Sequence, residues 1–249
     1  MPSISLQLFI LGTAVAVNLV LACLVYYNAY RSATNKIFSF LSAVMSFWLV
    51  ATYLSVHPQA DLVWTRITIA SATGMTLMFF LLAHTFPSPT ILLSKKKFLL
   101  IVFFTFAVIG ICLSPFAFTG LSKVNGILVA SPGPGMAPFA VTTTLFSLAA
   151  FYLFIKKYIQ ATGVQRQQLK LIISGLLVMV ILIIVTIMVP VAFFQNDTFV
   201  QFAPAYALLF VICSSVAILR YHLFDVKLVA VEILTGFLVF SILVEGFTS

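Results

Sequence analysis

Apolar residues in this chain form long uninterrupted stretches, and polar residues are concentrated in the short links between them. A helix needs roughly 20 apolar residues to cross the hydrocarbon of a bilayer. Seven stretches reach that length, at residues 5–29, 37–56, 67–86, 98–119, 137–155, 171–194 and 199–219. An eighth, shorter stretch occupies residues 228–244. The pattern predicts an all-α, polytopic membrane bundle of seven transmembrane helices plus an eighth apolar helix.

Composition supports this prediction. Hydrophobic residues make up 63% of the chain and charged residues 7%, whereas an average soluble domain has about 25% charged residues. A water-facing surface of ordinary size cannot be built from this composition. The net charge of +8 lies in links beside membrane segments, so anionic lipid headgroups, and not nucleic acid, are the expected neighbours.

The basic residues also predict an orientation. Eleven lie in alternate links on one side, and two lie on the other. The eleven are Arg31, Lys36, Lys95, Lys96, Lys97, Lys156, Lys157, Arg166, Lys170, Arg220 and Lys227, and the two are Arg66 and Lys123. Because short cytoplasmic links carry the excess of Lys and Arg, we expect an outside N-terminus and a cytosolic end of segment seven.

The outside link at residues 120–136 has room for local structure. Its Ser-Pro-Gly-Pro-Gly run at residues 131–135 favours turns, and the β-prone residues 127–129 precede that run. A short hairpin or cap over the outer mouth is predicted. The inside link at residues 156–170 is polar, with Gly163 as its only breaker, and is expected to extend segments five and six as helical ends.

Few residues inside the spans offer chemistry. Cys23, Cys112 and Cys213 lie in separate segments with no His or carboxylate at ligand spacing, so no metal site, disulfide or other cofactor is predicted. Asn18 is expected to fix packing through an interhelical hydrogen bond. Small residues at four-residue spacing should let helices approach closely, as at Ser42 with Ser46 and at Ala70 with Gly74.

Polar and aromatic groups near the outer mouth mark a candidate ligand-binding site. They are Asp61, Trp64 and Arg66 from one outside link, and Asn196 and Gln201 near another. The alternative is ordinary interfacial anchoring by Trp64 and Arg66 in the aromatic belt.

Several seven-helix classes fit poorly. A retinal protein needs a Lys inside its last helix, and residues 199–219 contain none. An ion-coupled transporter normally carries buried carboxylates, which the first seven segments lack. Transport is therefore disfavoured, although a small transporter or channel subunit remains an alternative.

A family resemblance is carried by short motifs at the segment ends. They are Lys36-Ile37-Phe38, Phe79-Phe80 with Phe86-Pro87, Arg166-Gln167-Gln168 with Gly175, and residues 218–226, Ile-Leu-Arg-Tyr-His-Leu-Phe-Asp-Val. On these residues the chain resembles the N-terminal seven-helix sensor region of bacterial membrane-bound histidine kinases, over residues 5–226. His222 departs from the family, which more often has a second basic residue there.

The resemblance implies a sensory input module in the bacterial cytoplasmic membrane, whose seventh helix passes a signal to cytosolic kinase domains. Residues 1–222 would form this domain, and residues 223–249 a connecting turn and the eighth helix. Signal output is assigned to Arg220, His222, Asp225 and Lys227; the alternative is that these charges only hold the helix at the lipid surface.

Kinase chemistry is not expected from the chain itself. None of its three histidines is followed by an acidic residue, and it has no Gly-rich ATP loop. We therefore expect part of a longer kinase or a truncated member, with possible partners in a second copy, kinase domains, and a small or apolar ligand. A membrane anchor that dimerises without sensing is the third interpretation. Residues 228–244 either span the membrane or lie along its inner surface.

Overall fold

The computed structural model describes residues 4–28, 32–55, 61–86, 93–124, 127–190, 199 and 202–221. Helices account for most of them, as the apolar stretches predicted. The helices are α1 (Ile4–Asn28), α2 (Ala33–Ser55), α3 (Leu62–Thr85), α4 (Lys95–Leu113), α5 (Met136–Gln160), α6 (Gly163–Ile183) and α7 (Ala203–Tyr221). A π-helical segment, Ile184–Met188, extends α6.

Six of the described helices, α1 to α6, are long and apolar enough to cross a membrane, and α7 is apolar over Ala203–Ser214. The chain is therefore a multi-pass membrane protein, as predicted. The eighth stretch, residues 228–244, lies outside the described residues, as does the connecting turn from residue 222 onwards.

Prolines shorten two of the predicted segments. Segment four was expected to reach residue 119, but α4 ends at Leu113. Ser114 is extended, with ψ of 165°, because Pro115 disfavours the helical conformation of the residue before it. Segment seven was expected to begin at residue 199, but α7 begins at Ala203. Pro204 then lies in the first turn, where a missing backbone N–H is tolerated.

Helices that follow one another in sequence pack as neighbours, and α7 closes the bundle by packing against α6 and α1. The centre is formed by α2 and α3. In the apolar stretch of each of these helices, 61% and 56% is buried, whereas the buried share in α4 and in α5 is 17%. The fully buried side chains of α2 include Phe38, Leu41, Met45 and Leu49. The outer faces of α4 and α5 are left to the lipid.

The predicted hairpin is present, and it begins two residues before the link that was assigned to it. Strand β1 (Phe118–Val124) pairs antiparallel with β2 (Ile127–Pro132). The chain then folds back on the exit of α4, because Gly133 N–H donates to the Ala117 carbonyl and Gly135 N–H to the Phe116 carbonyl, each at 2.8 Å. A Cβ on either glycine would collide with the backbone of Phe116.

The two ends of the bundle differ in chemistry. We call the end that carries β1 and β2 the hairpin end. The opposite end, with the C-termini of α3 and α5 and the N-termini of α4 and α6, is called the basic end because Lys95–Lys97, Lys156, Lys157 and Arg166 lie there. As predicted, α5 and α6 extend into the link at the basic end, and they are separated at Gly163, whose φ of 57° suits glycine.

Candidate coupling site

At the hairpin end, Arg66 ties α3 to the hairpin. Its Nη2 donates to the Phe118 carbonyl oxygen at 2.7 Å, across 52 residues of sequence. A hydrogen bond from a charged donor contributes about 1.5–3 kcal/mol. Around it, Ile69 and Ala70 of α3 form a small apolar cluster with Val108, Cys112 and Phe118. The hairpin is thus anchored to the bundle by one cation and one apolar contact surface.

Arg66 also carries an unsatisfied group, since its Nε is buried and has no hydrogen-bond partner among the described residues. The other predicted mouth residues of this link lie nearby. Asp61 occupies the N-cap position of α3, is exposed and makes no side-chain cap hydrogen bond. Trp64 is half-buried in the first turn of α3. Asn196 and Gln201 lie outside the described residues, so the convergence of all five stays a prediction.

At the basic end, Lys157 binds the C-terminus of α3. Its Nζ donates to the His84 carbonyl oxygen at 3.1 Å and also to the Phe86 carbonyl oxygen. The last carbonyls of a helix lack intrahelical partners and carry partial negative charge, so a lysine there stabilises the helix end. Lys157 therefore joins the end of α5 to the end of α3.

Aromatic rings reinforce this junction. The Phe80 ring of α3 stacks on Phe146 of α5, with centroids 5.1 Å apart and an interplanar angle of 17°. The His84 ring lies 4.4 Å from Phe80, and its Nδ1 is 3.0 Å from the Phe80 carbonyl oxygen. The imidazole is thus held within α3, at the helix end that Lys157 contacts.

The predicted packing residues of α1 and α2 lie on one seam. Asn35 Nδ2 of α2 is 3.4 Å from the Val25 carbonyl oxygen of α1. Asn18 and Ser42 each lie seven residues from that contact, toward the hairpin end. Seven residues make about two turns, so both residues return to the facing sides of the helices at the same depth. Both are fully buried.

Asn18 uses its amide within its own helix, because Nδ2 donates to the Ala14 carbonyl oxygen at 2.9 Å. Ser46 Oγ likewise donates to the Ser42 carbonyl oxygen at 2.9 Å. Asn18 Oδ1 and Ser42 Oγ have no partner among the described residues. The seam is therefore polar without a direct interhelical side-chain hydrogen bond from Asn18.

Gly175 lies in a tighter helix contact than Gly74 does. A Cβ added at Gly74 would lie 3.7 Å from Val44 Cγ1, an ordinary contact. A Cβ added at Gly175 would lie 2.6 Å from Cys213 Cβ and 3.1 Å from its Sγ. Gly175 therefore sets the distance between α6 and α7.

Phe210 makes α7 part of the core. It is 1% exposed, and its ring centroid lies 5.8 Å from Phe79 of α3 and 6.4 Å from Phe38 of α2. Toward the hairpin end, Thr186 Oγ1 in the π-helical segment is 3.0 Å from Tyr206 Oη. Through these residues α7 contacts elements from both halves of the chain.

Of the four predicted output residues, Arg220 lies in the last turn of α7. His222, Asp225 and Lys227 lie outside the described residues. Among the residues that the structure describes, no group of three or more His, Cys, Asp or Glu side chains could hold a metal ion.

Sequence reasoning missed the roles of Lys157 and Phe210. Lys157 was counted only for orientation, and its neighbour Lys156 is exposed. Which of the two adjacent lysines binds the end of α3 depends on which one faces that helix. This cannot be predicted without knowing that α5 packs against α3.

A multi-pass bundle of apolar helices, with a β-hairpin at one end and a cluster of basic residues at the other, defines an integral membrane domain. A family model described as the N-terminal 7TM region of histidine kinase matches residues 10–227. The chain belongs to this family, whose 7TM region is an input domain and not the catalytic part. No curated protein and no solved structure matches the chain.

Proposed function

We propose that residues 1–222 form the sensory input domain of a bacterial histidine kinase, and that α7 passes a conformational signal to domains beyond it. The family match over residues 10–227 carries this proposal. In this assignment the chain itself transfers no phosphoryl group, and the kinase domains attached to it or bound to it do.

The packing of α7 supports its role in output. It contacts α1, α2 and α6, and Phe210 adds a ring contact to α3. A movement of any of these four helices changes the surface against which α7 rests. Since interfaces of this kind hold discrete arrangements more readily than continuous ones, α7 is suited to convert a shift in the bundle into a displacement at Tyr221.

The orientation proposed with this function places the hairpin end outside and the basic end in the cytosol. The excess of Lys and Arg at the basic end supports it. In a variant without native cysteines, a cysteine at position 166 should resist a membrane-impermeant reagent on intact cells, and one near Gly133, at the exposed position 134, should react. The reverse labelling pattern would contradict the orientation.

The stimulus is proposed to arrive at the outer mouth, near Asp61, Trp64, Arg66, Asn196 and Gln201. Arg66 supports this because one of its nitrogens is buried without a partner among the described residues, while another holds the hairpin. A ligand that engages Arg66 would act on the hairpin directly. Thermal-shift screening with amphiphiles tests the site, and shifts that persist unchanged in Trp64→Ala and Gln201→Ala would place the pocket elsewhere.

Output through the turn after α7 is tested in a histidine kinase that carries this region. Arg220→Ala and Asp225→Ala should each alter the ratio of stimulated to basal autophosphorylation, with the amount of inserted protein unchanged. A parallel loss of both activities together with poor insertion would assign these charges to anchoring instead.

A further inference from the structure

A groove runs between α5 and α6 on the surface of the bundle, near the basic end. It encloses about 460 Å³ and is lined by Ile155, Tyr158, Lys170, Ile173, Ser174, Leu177 and Val178. Ile155, Leu177 and Val178 are each at least 39% exposed, so the groove opens to the side. Its volume lies within the range of about 300–1,000 Å³ that is usual for small-molecule sites.

The wall contributed by α6 changes character along the helix. Lys170, Ser174 and Val178 follow one another at four-residue intervals and therefore share one face. Arg166 precedes Lys170 by the same interval and continues that face toward the basic end. The face is cationic over its first two turns and becomes apolar after Ser174.

Arg166 is held at the mouth of the groove. Its guanidinium carbon lies 5.1 Å from the centroid of the Tyr158 ring of α5, a cation–π arrangement. A guanidinium has five N–H donors, so an arginine beside this ring can still donate to an anion. Arg166 and Lys170 are both exposed, so two cations border the same opening.

We infer that this groove binds an anionic glycerophospholipid of the surrounding leaflet, with one acyl chain along Ile155, Ile173 and Leu177 and its phosphate against Arg166 and Lys170. The match is one of charge and polarity together. An anionic headgroup at the membrane surface meets the two cations, and the chain below it meets the apolar wall. Basic pockets between transmembrane helices are suited to such headgroups.

A second copy of this chain fits the groove less well. A helix from another copy would have to cover Lys170 within the apolar groove, and an uncompensated buried charge is strongly destabilising. A phospholipid supplies the compensating anion itself. The inference needs only that α5 and α6 lie in the bilayer, and it does not depend on the proposed signalling role.

The test is native mass spectrometry of the full chain in mild detergent, titrated with palmitoyl-oleoyl phosphatidylglycerol or with the phosphatidylcholine that has the same chains. The wild type should prefer the anionic lipid. In the double variant Arg166→Gln, Lys170→Gln the ratio of affinities for the anionic and the neutral lipid should fall at least fivefold, because each basic residue near an anionic surface contributes about 1 kcal/mol. The double variant Arg166→Lys, Lys170→Arg should keep it.

The matched control is Lys95→Gln, Lys96→Gln, which removes two exposed cations from the same end of the bundle. It should leave the preference unchanged. An equal loss in the control and in the groove variant would mean that the whole basic end attracts anionic lipid, and the groove site would be rejected.

A second variant tests the apolar part and keeps both charges. Ser174→Phe places a ring in the groove and should weaken the binding of both lipids at least fivefold, whereas Thr144→Phe, at an exposed position of α5 away from the groove lining, should not. If Ser174→Phe leaves lipid binding intact but dissociates a dimer, the groove holds a second copy and the inference is wrong. If the variant Arg166→Gln, Lys170→Gln fails to insert into the membrane, the comparison of Ser174→Phe with Thr144→Phe decides on the groove site alone.

Discussion

Gly175→Ala should push α6 and α7 apart. The added Cβ would lie 2.6 Å from Cys213 Cβ, whereas carbon atoms in good contact are about 3.5–4.0 Å apart. Cys213 Cβ is fixed to the backbone and cannot rotate away. The helices must therefore separate locally by about 1 Å, since the contact distance is that much too short.

The size of the effect follows from the kind of contact. Forcing an extra methyl group into a tight interior contact costs about 1–3 kcal/mol. Gly74→Ala is the matched control, because its Cβ would meet Val44 Cγ1 at 3.7 Å without strain. Both changes replace a glycine within a helix by alanine and so share the same gain in helix propensity. The difference between them, about 1–3 kcal/mol, reports the contact alone.

Thermal unfolding of the two purified variants in the same detergent measures this difference. Gly175→Ala should unfold below the wild type, and Gly74→Ala at or above it. Adding Cys213→Gly removes the obstructing Cβ and should lift Gly175→Ala back toward the stability of Cys213→Gly alone. Equal unfolding temperatures for the two alanine variants, or no recovery in the double variant, would refute the proposed contact between α6 and α7.

Three further changes test the ends and the seam of the bundle. Arg66→Met should lower hydrogen-exchange protection in β1 and β2 about tenfold or more, because a charged hydrogen bond of about 1.5–3 kcal/mol is lost; unchanged protection would mean that the apolar cluster alone holds the hairpin. Lys157→Met should lower protection of the Phe86 amide, which donates to the Leu82 carbonyl oxygen, whereas Lys156→Met should not. Asn18→Leu should leave the unfolding temperature unchanged or raise it, because it removes a buried oxygen that has no partner among the described residues; a large decrease would show that this oxygen is satisfied in the membrane.

The helices could be predicted from the sequence because a bilayer requires long apolar runs. Their ends could not be predicted from hydrophobicity alone. Residues 114–119 are apolar enough to continue a span, yet Pro115 ends α4 and Phe118 begins a strand. The hairpin was predictable for a different reason, since the β-prone residues 127–129 are followed by the turn-forming prolines and glycines of residues 131–135.

The contacts that join the helices could not be read from the sequence. Gly175 was noticed only as part of a family motif, and Gly74 was preferred as a packing glycine because of its small neighbour Ala70. Whether a glycine lies in a tight helix contact depends on the residue that faces it from the neighbouring helix. For Gly175 that residue is Cys213, which lies 38 positions away in the sequence. Arg66 was likewise assigned to the outer mouth. Its hydrogen bond to the Phe118 carbonyl was not predicted, because that pairing spans 52 residues.

If α7 passes the signal as proposed, its position in the bundle sets the activity of a kinase attached to it. Basal autophosphorylation of a histidine kinase carrying this region, compared between Gly175→Ala and Gly74→Ala at equal amounts of inserted protein, measures this. We expect a changed basal activity for Gly175→Ala, which displaces α7 from α6, and an unchanged activity for Gly74→Ala. Wild-type activity in both variants, with the destabilisation of Gly175→Ala confirmed, would contradict it.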